Sequence, residues 1–66
     1  MNFGKFFRQI RVEKGLTQPA VAKAINIALR TYQHYEQGDR EPSLATLVML
    51  ADFLNVTTDR LLGRED

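Results

Sequence analysis

Residues Leu16–Pro42 read LTQPAVAKAINIALRTYQHYEQGDREP, and the way this stretch bends decides the fold. Thr17 precedes an apolar-periodic run, so its hydroxyl can accept one of the N–H groups left unpaired at a helix start, and Pro19 is tolerated in that first turn. Val21, Ala22 and Ile25 recur at helical spacing and give the short helix one apolar face. Asn26 falls where that face ends, and Asn is among the few non-glycine residues that accept a left-handed backbone. Ile27 then plugs the corner, and a second helix starts near Ala28 with Tyr32 and Tyr35 on its inner side. Two short helices joined this tightly hold the second one away from the body, in the attitude that enters a DNA major groove.

Outward from this unit, the chain predicts three more helices. A first helix spans about 2–14, with Asn2 as cap, Gly15 as stop, and Phe3, Phe7 and Ile10 as a buried stripe that Phe6 widens. The two motif helices cover about 18–25 and 28–36, followed by the polar loop Gln37-Gly38-Asp39-Arg40-Glu41-Pro42. Ser43 caps a fourth helix reaching Leu54, whose stripe is Leu44, Leu47, Leu50, Ala51 and Leu54. Asn55 ends it, Val56 packs, and Thr57 opens a short fifth helix that holds Leu61 and Leu62 and closes at Gly63. No strand pattern, repeat or linker interrupts the sequence. The expectation is an all-α, compact five-helix fold, with residues 1–66 as a single domain and its helix–turn–helix unit at about 17–36.

Composition narrows the chemistry. Sixty-six residues sit near the lower limit for a core without disulfides or metal. With no cysteine, one histidine and no clustered acids, neither a metal centre nor a thiol nucleophile is expected. No catalytic triad, carboxylate pair or phosphate loop is present, so no enzyme, cofactor or small-molecule ligand is expected. No apolar run approaches the roughly 20 residues of a membrane span, and no signal-peptide pattern opens the chain, so a cytoplasmic protein is expected. The net charge of +1 says little, but its distribution says more. Residues 1–40 carry Lys5, Arg8, Arg11, Lys14, Lys23, Arg30 and Arg40 against Glu13, Glu36 and Asp39. Residues 41–66 carry Arg60 and Arg64 against Glu41, Asp52, Asp59, Glu65 and Asp66. The helix–turn–helix half is the basic half, as contact with phosphates requires.

Thr17, Gln18, Val21, Ala22, Ile27, Tyr35, Glu36, Gly38, Arg40 and Pro42 together resemble the pattern of the Cro/CI-type (XRE, lambda-repressor-like) helix–turn–helix regulators. The resemblance runs from about Phe3 to Gly63, through the Arg8–Gln18 segment and the Pro42–Gly63 tail. It implies a lambda-repressor-like fold, a double-stranded DNA partner and a nucleoid-associated transcriptional regulator of bacterial or phage type, acting as a repressor on a palindromic operator. It also implies that Arg11 pairs with Glu36 inside the domain, and that Gln18 contacts phosphate and braces a side chain of the second motif helix. The sequence departs from the pattern at Asn26, usually glycine, and at Ala28, where a hydroxyl often caps the helix.

On such a helix the leading exposed face reads bases. Arg30 can donate twice to guanine, Gln33 can pair with adenine, and Leu29 or Ala28 can touch a thymine methyl. Gln18, Arg40, Gln37, Lys23 and His34 are the phosphate candidates, Gln18 at a helix start where N–H groups favour an anion. The competing reading of each is a solvated surface side chain. A homodimer is expected through the carboxy-terminal region, where Phe53, Val56, Leu61 and Leu62 offer apolar surface, unless all four complete the core. The rival function is an antitoxin or antirepressor-like module that works mainly through a protein partner.

Overall fold

The computed structural model describes residues 3–64. These form α1 (Gly4–Glu13), α2 (Gln18–Ala24), α3 (Leu29–Gln37), α4 (Leu44–Leu54) and α5 (Thr58–Leu61), with no strand among the described residues. The architecture is all-helical and five-membered, as the sequence predicts. The Asn2 cap lies outside the described residues, and the helix there begins at Gly4.

Three of the helices stop by one device. Gly15, Asn26 and Asn55 take positive φ of 71°, 59° and 57°. Each turns the chain so that the next residue donates back to a carbonyl five positions earlier: Leu16 to Arg11, Ile27 to Ala22, and Val56 to Ala51. This satisfies carbonyls that a helix end leaves unpaired, and it drives the donor's own side chain inward. Leu16, Ile27 and Val56 all pack against the core. Starts are equally local: the hydroxyls of Thr17, Ser43 and Thr57 accept from the N–H groups of Ala20, Thr46 and Arg60.

The core gathers Phe7, Ile10, Val21, Ala22, Ile25, Tyr32, Tyr35, Leu47, Leu50, Ala51, Leu54 and Leu61. Helix α3 packs on both α1 and α2, and α5 closes against α1 and α4. Gly4 makes the first of these contacts possible. A Cβ at Gly4 would overlap the carbonyl oxygens of Tyr35 and Glu36, so α1 lies with its backbone directly on the end of α3.

Two apolar residues sit where the sequence reading did not put them. Leu44, assigned to the core stripe of α4, is 77% exposed, because as the helix's first residue it lies beyond the reach of the core. Leu61, assigned to a dimer surface, is fully buried as the inward residue of α5 and is unavailable to a partner. Val56 and Leu62 are also partly buried against the core. Phe53 does face out, together with Leu44, Val48 and Met49 of the same helix.

Candidate nucleic-acid interface

The turn between α2 and α3 is Ile25-Asn26-Ile27-Ala28, fixed by the bonds from Asn26 to Lys23 and from Ile27 to Ala22. Ala28 takes an extended backbone as the residue before α3, and no side chain caps the helix there. The first N–H groups of α3 therefore have no capping side chain. Ala28, Leu29 and Arg30 are exposed on the leading turn, while Tyr32 and Tyr35 are buried behind, their rings edge-to-face with centroids 6.5 Å apart.

The far end of α3 is anchored by Glu36. Arg11 Nε donates to Glu36 Oε2 at 2.6 Å, and Arg11 Nη2 donates to Oε1 at 3.2 Å. The third guanidinium nitrogen, Nη1, donates to the Leu16 carbonyl at 2.8 Å, so the same side chain also holds the loop before α2. Burial alone would raise the Glu36 pKa, but the bonds from Arg11 and Gln18 and the nearby Tyr32 hydroxyl outweigh it and hold it below the usual carboxylate range. That hydroxyl is buried without a hydrogen bond of its own. Burial, followed by the neighbouring carboxylate, pushes the Tyr32 phenol well up, so it stays protonated.

Gln18 joins this pair to the outer face. Its Nε2 donates to Glu36 Oε1 at 3.0 Å, and its Oε1 accepts from Gln33 Nε2 at 3.3 Å. Arg11, Glu36, Gln18 and Gln33 thus make one chain of hydrogen bonds, from α1 through α2 to the half-buried flank of α3.

The other candidates stand apart from that chain. Arg30, Lys23, Gln37 and Arg40 are exposed, and among the described residues none of them is paired with an acid. His34 is turned back to Asp39, its Nδ1 3.0 Å from each carboxylate oxygen. The sequence places Asp39 in the polar loop but does not pair it with His34. The signal for the pairing was Gly38, whose φ of 85° folds the chain back so that a residue five positions on meets His34.

Among the described residues no group of His, Cys, Asp or Glu is placed to hold a metal ion. No described helix is long and apolar enough to cross a membrane.

Residues 7–61 match the helix-turn-helix family profile. The chain is 36% identical over 66 residues to the HTH-type transcriptional regulator ImmR of Bacillus subtilis (strain 168), covering all of this chain and 52% of that protein. It is 38% identical over 61 residues to the cryptic phage CTXphi transcriptional repressor RstR of Vibrio cholerae, covering 92% of this chain and 55% of the repressor. The chain thus spans about half the length of these curated relatives. Its fold matches the crystal structure of the restriction-modification controller protein C.AhdI from Aeromonas hydrophila with a TM-score of 0.86 at 30% identity, covering 91% of each chain.

Proposed function

Given that the chain belongs to the helix-turn-helix family, we propose that it binds double-stranded DNA in a sequence-dependent way and regulates transcription, with α3 lying in the major groove. Residues 1–66 act as one domain in this reading, and its role is regulatory rather than catalytic. The observation that carries it is the exposed, unpaired Arg30 on the leading turn of α3, on the same helix face as Gln33. Arg30 reads guanine through a two-donor contact, Gln33 reads adenine, and Leu29 and Ala28 supply apolar contact to thymine methyls. Gln18, Lys23, Gln37 and Arg40 fix the register on phosphates, and His34 lies at the margin, already held by Asp39.

Repression follows from occupancy when the operator overlaps a promoter, a role in keeping with the similarity to the phage transcriptional repressor RstR. The operator is a pseudo-palindrome, because one such domain covers one half-site and two copies place their α3 helices about 34 Å apart. The dimer forms through the outer side of α4, around Val48, Met49 and Phe53, instead of the fully buried Leu61. Helix α4 carries exposed apolar side chains at Val48, Met49 and Phe53 on the side away from the core, with exposed Asp52 among them, and a cluster of exposed apolar side chains marks a surface that a partner covers.

The test is selection of duplexes from a randomised pool, followed by titration of the winner at several salt concentrations and a promoter reporter. A steep, linear fall of log affinity with log salt and a symmetric consensus are expected. Weak, salt-insensitive binding would favour the antitoxin or antirepressor-like alternative, in which the apolar edge at Leu29, 39% exposed, meets a protein.

A further inference from the structure

The hydrogen-bond chain that ends at Gln33 begins at a charge. Glu36 is ionised and nearly enclosed, its side chain 3% exposed. An ionised carboxylate only accepts. Gln18 must therefore turn its NH2 toward Glu36 Oε1, as the 3.0 Å contact shows. Its carbonyl oxygen is left facing α3, and Gln33 in turn must donate, as it does at 3.3 Å. One N–H of Gln33 is committed inward, so its Oε1 and its second N–H remain for the outside. A donor and an acceptor side by side match adenine, which offers N7 as acceptor and N6 as donor in the major groove. The reverse amide, with its oxygen turned inward, would present only N–H groups, which match the two acceptors of guanine.

We propose that buried Glu36, acting through Gln18, sets the donor–acceptor order of Gln33 and thereby makes it select adenine over guanine. Glu36 and Gln18 are positioning residues in this scheme: neither touches the base that they specify. The inference rests on the DNA-binding reading above, with α3 in the major groove. It adds that the identity of one base is written by a charge in the interior.

The experiment is carried out on the selected duplex and on versions altered at each base pair in turn, with binding measured for the wild type and three variants. Gln33→Ala first identifies the pair that Gln33 reads, as the position where discrimination among bases collapses. Gln18→Met keeps the side-chain length but breaks the relay, so discrimination at that same pair should fall by about 5- to 150-fold, the range a bidentate contact carries. Gln18→Lys supplies a side chain that only donates, to Glu36 and to Gln33 Oε1 alike. It should turn the Gln33 amide over and move the preference from adenine toward guanine. A merely structural role for Gln18 would weaken binding equally on all duplexes.

The proposal is overturned if Gln18→Met and Gln18→Lys leave the adenine preference intact while Gln33→Ala removes it, or if Gln33→Ala alters no base preference. Thermal melting of each variant separates loss of fold from loss of discrimination, and Gln33→Ala tests the reading residue without touching Glu36. A wild-type protein that binds no duplex overturns the DNA-binding reading together with this one, whereas uniform weakening in the Gln18 variants overturns this one alone.

Discussion

Arg11 and Glu36, 25 positions apart, meet in a two-pronged ion pair in which the shorter contact is 2.6 Å. The pair ties α1 to the last turn of α3, while the remaining Arg11 nitrogen ties down the loop at Leu16. One guanidinium thus adds a polar tie to the packing of Tyr32 and Tyr35 that seats α3 on the body. Removing one partner of such a pair leaves a charge stranded out of water, and that is the costly case. Glu36→Gln is expected to destabilise the fold by up to about 3–5 kcal/mol, as read by denaturant unfolding. An unchanged midpoint would show that the pair contributes nothing.

The same carboxylate predicts a pH dependence. Its pKa in the folded state lies below the usual value, so in the unfolded chain it takes up a proton more readily. Its contribution is thus complete above the unfolded value of about 4.3 and is lost as pH falls through the lowered folded value. Melting temperatures followed between about pH 2 and 7 should fall on the acid side for the wild type. In Glu36→Gln the acid-side fall should be shallower.

Gly4 predicts a second stability effect, at the backbone contact between α1 and the end of α3. Its missing side chain lets α1 rest on the carbonyls of Tyr35 and Glu36. Gly4→Ala, though favourable for helix formation in isolation, should destabilise by about 1–3 kcal/mol, the range for overpacking a close contact. A gain in stability would mean that α1 can shift outward without loss.

The turn gives a third. Asn26 has φ of 59°, where a Cβ costs roughly 1–2 kcal/mol for most residues. Asn26→Gly should be neutral or mildly stabilising, and Asn26→Val should cost at least that much, both read by thermal unfolding. Equal stability of the two would show that the turn relaxes to another backbone.

These residues also mark what was legible in the sequence. Thr17, Ser43 and Thr57 as helix starts, and Gly15, Asn26 and Asn55 as stops, follow from chemistry within six positions of each residue, and local chemistry is written directly in the chain. Leu44 and Leu61 were misplaced because period alone does not say where a core ends. Helix α4 has apolar residues on both sides, and only its packing shows which side is inner. The contact of Gly4 with α3 spans more than thirty positions, and glycine near a helix start carries no mark of what will approach it. Likewise, spacing along α3 placed Gln33 on an outward face, but its hydrogen bond to Gln18 depends on how two helices cross.

On DNA, Arg30 and Arg40 should part company. Arg30 lies on the leading turn of α3, and Arg40 lies beyond its end in the loop before α4. Arg30→Ala should cost about 1–3 kcal/mol on the specific duplex and relax the preference at one base pair. Arg40→Ala should weaken binding to all sequences alike and reduce the salt slope by about one. Equal losses for Arg30→Ala on specific and random DNA would remove it from the base-reading set.

The outer face of α4 carries the last prediction. Phe53 is 41% exposed, and Val48 and Met49 are 43% and 47% exposed, on a helix whose other side fills the core. None of the three supports the fold from inside, so a charge at one of them should leave melting nearly unchanged while opposing self-association. Val48→Glu together with Phe53→Lys should keep the protein monomeric at concentrations where the wild type associates, as seen by sedimentation at increasing loading. On a symmetric duplex the wild type should bind as two copies with one cooperative transition, and the double variant as two independent, weaker events. A wild type that forms a strictly 1:1 complex on that duplex would sink the dimer. A double variant that still binds cooperatively would instead move the interface off α4.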